Sequence, residues 1–102
     1  MSVFWIGRTR VHNPEGLKPY AELVQKAASI YRPEVIVRGG AYHVLEGEDR
    51  FDRFAVLRFD SMEHALTYYN SPEYQQARQF RHAATTDNEL TLVEGVPRAN
   101  GA

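Results

Sequence analysis

The sequence predicts an α+β domain with its elements in the order β-α-β-β-α-β. Three kinds of observation carry that reading. Four short stretches alternate apolar and polar residues, and two longer ones repeat apolar residues at helical spacing. Proline, glycine and serine caps punctuate the boundaries between them.

The first strand is "VFWIGRTRV", residues 3 to 11. Val3, Trp5, Gly7, Thr9 and Val11 share one face; Phe4, Ile6, Arg8 and Arg10 share the other, which turns cationic at its end. A helix follows. Leu17, Tyr20, Ala21, Val24, Ala27, Ala28 and Tyr31 make an amphipathic stripe, Asn13 before Pro14 is a start signal, and Pro33 is a stop. Pro19 falls inside this pattern, so the regular helix is expected to begin near it, after a separate turn. Residues 35 to 46 read as the second strand, with Gly39 and Gly40 in its middle; glycine inside a strand marks a bulge or a bend.

"GEDRFD" is the next turn. In the third strand, "RFAVLRFD", Ala55, Leu57 and Phe59 oppose Phe54, Val56 and Arg58. Ser61 caps a helix in which Met62, Ala65, Leu66 and Tyr69 share a face. Ser71 and Pro72 restart it, with Glu73 near the positive end of the helix dipole. "ELTLVE", residues 89 to 94, is the fourth strand. Residues 1–96 are expected to form the single domain, and residues 97–102 a fraying tail.

This order is the ferredoxin-like split pattern: a four-stranded antiparallel sheet with both helices on one face. The helix-free face would carry Phe4, Ile6, Phe54 and Val56, which is too apolar for water, so a second copy packed sheet to sheet is the expected partner.

Composition narrows the function classes. The chain has 102 residues, 43% hydrophobic and 25% charged, with a net charge of −1 and no cysteine. Disulfides, thiolate nucleophiles and sulfur metal sites are excluded, and a reducing cytoplasm is the expected compartment. No basic tract invites nucleic acid, no apolar run approaches a membrane span, and the first residues read as a strand rather than a leader. The histidines, His12, His43, His64 and His82, have no metal-ligand spacing, and there is no phosphate loop, nucleophile elbow or dinucleotide fingerprint. Neither a metal nor a cofactor is expected.

"VRGG" at 37 to 40, "VLEG" at 44 to 47, "YYNSPEYQ" at 68 to 75, Arg81 and "LVEG" at 92 to 95 stand in an order and spacing that resemble the DUF1330 family of the dimeric α/β-barrel superfamily. The resemblance runs from Phe4 to Gly95 and implies a homodimer whose two sheets enclose a barrel-like interior. It implies no settled reaction: superfamily relatives include cofactor-free monooxygenases, lactone isomerases, haem-degrading enzymes and non-catalytic binding modules. Arg58 stands where the family usually has Glu, and His43 where an aliphatic or acidic residue is more usual.

Candidate site residues follow from the sheet. Arg8 and Arg58, if on the helix-free face, would point into the dimer interior, with Arg38 beside the glycines. Together they would grip a carboxylate or enolate, or else pair with Glu46, Glu94 or Asp60. His43 is the candidate proton carrier and Tyr69 a core residue whose hydroxyl could reach the ligand. The expected function is thus a cofactor-free isomerase, cyclase or monooxygenase-like enzyme acting on a small, anionic, partly apolar substrate. The alternatives are a binding module without turnover and a structural homodimer.

Overall fold

The computed structural model describes residues 2–97; the remainder of the expected tail, residues 98–102, lies outside the described residues. The strands are β1 (Val3–Val11), β2 (Glu34–Arg38), β3 (Arg53–Phe59) and β4 (Thr85–Glu94). The helices are α1 (Leu17–Tyr31), α2 (Met62–Tyr69) and α3 (Pro72–Ala84), and a 3-10 turn at Pro14–Gly16 precedes α1. All strand pairs are antiparallel, in the order β2-β3-β1-β4, which is the ferredoxin-like arrangement.

Side-chain caps mark the starts of the 3-10 turn, α2 and α3, while α1 continues from the turn without one. Asn13 accepts a hydrogen bond from the Gly16 N–H, Ser61 from that of His64, and Ser71 from that of Tyr74. Pro19 sits in the first turn of α1, where its missing N–H would have had no intrahelical partner, so the helix begins two residues earlier than expected. At the other end Arg32 adopts a left-handed conformation and donates its N–H to the Ala28 carbonyl, and Pro33 follows.

The two faces of β1 divide the molecule. Val3, Trp5 and Thr9 are buried under the helices, while Ile6 is 40% exposed on the other side. The core gathers around Trp5, whose ring lies 5.1 to 6.1 Å from those of Phe59, Tyr68, Tyr69 and Tyr74 in tilted or edge-on arrangements. In α2 the fully buried pair is Ala65 and Tyr68, rather than the stripe through Met62, Leu66 and Tyr69. Short α2 crosses the end of the sheet, and this turns the 65/68 edge inward and leaves Tyr69 half-buried at its rim. His64, within the first turn of α2, is a fastener: its Nε2 lies 2.6 Å from the Tyr31 carbonyl and its ring stands edge-on to Phe59.

Two strand boundaries differ from the sequence pattern. β2 ends at Arg38, not residue 46. Gly39 and Gly40 adopt φ of +66° and +93°, which no strand sustains, and they turn the chain out of the sheet. The bulge in β2 lies earlier, at Ile36, between the pairs Val35–Leu57 and Val37–Val56. β4 begins four residues earlier than expected. Its register with β1 shifts between Arg8 and Arg10, and Asp87 absorbs the shift with a φ of +50°.

Phe59 is 1% exposed and touches Trp5, Tyr68 and His64. Phe59→Ala is expected to cost about 3–5 kcal/mol, read as a lowered urea midpoint with an unchanged slope.

Candidate functional site

The expected site residues do not converge within one chain. Arg8 and Arg58 share the helix-free face, but the register pairs Phe4 with Arg58 and Arg8 with Phe54. Four residues of strand, about 13 Å, therefore separate them. Each is already neutralised: Arg8 Nη2 lies 2.5 Å from Glu89 Oε1 with its guanidinium 4.4 Å over Phe51. Arg58 Nη1 lies 3.0 Å from Glu34, and its Nε donates to Ser2 Oγ. The partners are cross-strand neighbours, not Glu46, Glu94 or Asp60. Arg38 pairs in register with Ala55 and so stands on the helix side of the edge strand. His43 is exposed on the segment between β2 and β3, and Tyr69 packs among the core aromatics.

Another set of residues does converge, between the sheet and the helices. Below Trp5 the same face of β1 continues with Gly7 and Thr9, and the core gives way to a cavity of about 60 Å³. Leu17 and Tyr20 of α1, Tyr74 and Arg81 of α3, Arg53 and Ala55 of β3 and Leu90 of β4 complete it. Its origin is the taper of β1 from indole to hydrogen to a small hydroxyl. The Gly7 φ is unexceptional, and a Cβ there would meet Leu90 and Trp5 at 3.5 and 3.6 Å, so glycine here makes room rather than a turn.

The cavity's polar groups are under-satisfied. Thr9 is 6% exposed and its Oγ1 has no partner. Arg81 is 9% exposed; Nη1 donates to Asn88 Oδ1 at 2.8 Å, but Nε has no partner. Among the described residues neither Arg81 nor Arg53 has an acidic partner within 4 Å, whereas Arg8, Arg10, Arg50 and Arg58 all do. Tyr20 and Tyr74 join hydroxyls at 3.2 Å, and burial, then Tyr20, pushes the Tyr74 phenol well above its ordinary range, so it stays protonated. A second, open groove of about 530 Å³ shares Leu17 and Arg53 with the cavity and is floored by the Gly39–Gly40 backbone. Among the described residues no three His, Asp or Glu side chains gather as a metal site.

Arg81 and Arg53 carried a legible signal. Arg81 lies on the buried stripe of α3 with Tyr74, Ala77 and Ala84. Arg53 begins the alternation that runs through Ala55, Leu57 and Phe59. A cation on an otherwise small or aromatic inward face was the sign that pointed away from the helix-free side.

A single-chain ferredoxin-like domain with a lined recess between sheet and helices is the class that fold and geometry define. The chain belongs to the family described as a domain of unknown function, DUF1330, whose model matches residues 2–96. No curated protein matches it. Among solved structures it is similar to a protein of unknown function from Rhodopseudomonas palustris, at 18% identity and a TM-score of 0.70, covering 93% of this chain and 82% of that one. It is also similar to a dimeric ferredoxin-like protein of unknown function from Jannaschia sp. CCS1, at 13% identity, a TM-score of 0.72 and 93% and 100% coverage. A third is SnoaB, a cofactor-independent oxygenase from Streptomyces nogalater, at 14% identity, a TM-score of 0.59 and 96% of each chain. At such identities these likenesses establish the fold.

His82, on the outer side of α3, feels the same arginines. Desolvation first, then Arg81 and Arg78, hold its pKa below the ordinary 6.5. The unfolded chain therefore takes the proton first. Stability should fall as pH drops through 6.5 and level off once the folded-state pKa is passed. His82→Gln is expected to remove that step from a series of denaturation curves taken from neutral to mildly acidic pH.

Proposed function

We propose that the protein holds a small, anionic, partly apolar molecule in the cavity between sheet and helices, and acts on it, where it acts, by oxyanion stabilisation without a permanent cofactor. The carrying observation is the pair of acid-free arginines, Arg53 and Arg81, around an apolar recess in which Thr9 Oγ1 and Arg81 Nε are unpartnered. A buried donor without a partner costs about 1–3 kcal/mol, which a carboxylate or enolate oxygen would recover. At about 10–15 Å³ per water-sized probe, 60 Å³ accommodates roughly four to six non-hydrogen atoms, and anything longer would extend toward the outer groove.

The chemistry is bounded by what lines the cavity. No carboxylate or imidazole is among the lining residues, so no ordinary general base faces the ligand. Tyr74 and the arginines are donors; they stabilise a negative charge but do not create one. A substrate with an acidic carbon–hydrogen bond of its own suits this equipment. The same absence favours the second reading, a binding module without turnover. The fold shared with a cofactor-independent oxygenase supports the first reading at the level of architecture.

The chain's one tryptophan, Trp5, lines the cavity and supplies a reporter. Butanoate is expected to shift its indole N–H resonance, and neutral butanamide to bind at least tenfold more weakly. Arg81→Met and Arg53→Met should each weaken butanoate at least tenfold. Gly7→Ala should do so too, while stability stays level or rises by up to about 1 kcal/mol. Equal binding of the acid and the amide sinks the anion site. Deuterium uptake at C3 of 2-oxobutanoate in heavy water, faster than in buffer and slowed by Arg81→Met, separates an enzyme from a binding module.

The second part of the reading is the homodimer. Phe4, Ile6, Val37, Phe54, Val56 and Val93 form an apolar patch on the helix-free face, and the arginines at its ends are already neutralised, so burying them strands no charge. Dimeric relatives of the same fold support a second copy as its cover. Light scattering after size exclusion should report a dimer for the natural chain and a folded monomer for Ile6→Glu; a natural chain that stays monomeric at millimolar concentration overturns this part.

A further inference from the structure

Residues 41–50, "AYHVLEGEDR", are all exposed, a run of ten that includes Tyr42, Val44 and Leu45. Leu45 is 88% exposed. The root of the segment is fastened: Arg10 donates to the Asp49 and Arg50 carbonyls, the Asp52 N–H bonds the Thr9 carbonyl, and Phe51 is buried. Its outer part is held only through the Tyr42 side chain, which meets Phe54 and lies 3.5 Å from Asp49 Oδ1. Among the described residues, no backbone–backbone hydrogen bond involves residues 40–51. A stretch outside any helix or strand, with bends at residues 45–47, exposed apolar side chains and unpaired backbone, has the chemistry of a segment that lacks its neighbour. The sequence pattern said the same, since strand periodicity runs on through residue 46 although β2 stops at Arg38.

A neighbour of the right kind exists on a second copy. Among the described residues β4 pairs only with β1, which leaves its other edge without a strand along ten residues, whereas β2 is short and bulged. Beside that edge, on the helix side, lies an apolar groove of about 220 Å³ lined by Trp5, Leu66, Tyr69, Leu90 and Leu92.

We propose that residues 42–46 of one copy add as a strand to the free edge of β4 of the second copy. The inference rests on the sheet-to-sheet dimer proposed above and adds to it a reciprocal pair of arms.

Three further observations agree. First, the Tyr42 ring packs 5.1 Å from Phe54, a residue of the helix-free face, so the arm leaves β2 on the side where the second copy lies. Second, the order β2-β3-β1-β4 sets β2 opposite the second copy's β4 when a two-fold axis runs along the strands between the sheets. Third, the sheet face is small. Four strands and seven residues give roughly 19 Å by 23 Å, about 440 Å² in projection, a modest footprint beside the standard interface of about 800 Å² of accessible surface per copy, so contacts from beyond the sheet would add to it materially. Strand alternation then turns Tyr42 and Val44 toward the space between the sheets and Leu45 into the apolar groove.

Sedimentation equilibrium and backbone hydrogen exchange test this with Val44→Pro and Leu45→Asp. Neither residue supports the single chain's own fold, which thermal melts of each variant in the monomeric Ile6→Glu background will verify. Both are expected to weaken the dimer at least tenfold. Alternate amides of residues 88–94, protected in the natural dimer, should exchange freely in the variants. A dimer constant within twofold of the natural one, or protection on β2 instead of β4, overturns the arm while leaving the sheet-to-sheet dimer standing. A natural chain that is monomeric at every concentration overturns both.

Discussion

The placement of Trp5 on the central strand is the constraint on which the rest of the molecule depends. β1 is bonded on both sides, so its two faces are the middle of both surfaces of the sheet. On the inner face Trp5 anchors rings from β3, α2 and α3, and holds the helices at a fixed height above the strands. Two residues further, Gly7 contributes nothing to that layer. Helices propped up by an indole cannot collapse onto a glycine, and protein interiors do not flow to fill such a gap. The cavity is therefore a consequence of how the core is built.

Core and cavity make opposite demands on polar groups. Around Trp5 the tyrosine hydroxyls reach the periphery: Tyr31 donates to Glu73, and Tyr20 meets Tyr74. Around Gly7 the arginines point inward without acids. Four other arginines, Arg8, Arg10, Arg50 and Arg58, do have acids beside them, with Glu89, Asp52, Asp87 and Glu34 engaged. Arg53 and Arg81, which among the described residues have no acid beside them at the cavity, are the charges on which the proposed anion site rests.

Most of the fold was legible because its signals are local. Alternation in β1 and β3, the stripe of α1, and the serine caps of α2 and α3 are each decided within a few residues, and each forms where the pattern places it. Boundaries decided by tertiary context were less legible. Nothing near Tyr68 and Tyr69 says which ring faces the core, since that depends on how α2 crosses the sheet. The early start of β4 depends on β1 tolerating a register shift. The candidate site was hardest to read. Arg8 and Arg58 stand out in the sequence as charges on an apolar face, yet that face supplies each with a carboxylate. Arg53 and Arg81 lie on inward-facing stripes of their own elements, but that they meet is decided only when β3 and α3 come together at the cavity beside Gly7.

The glycines after Arg38 show why the longest mismatch occurs where it does. Strand periodicity is a property of side chains, and "YHVLE" has it; pairing is a property of backbones, and requires an edge within reach. Beyond the Gly39 N–H, which still bonds the Phe54 carbonyl, positive φ at Gly39 and Gly40 takes the chain away from β3. The same turn lays bare backbone along the groove leading to Arg53. One local device thus bears on both proposals: it leaves bare backbone along the groove beside the cavity, and it carries Tyr42 to the side of the helix-free face. The proposed ligand entry and the proposed dimer arm then depend on the same two glycines, so a second copy that held the arm would also hold the Gly39–Gly40 part of the groove.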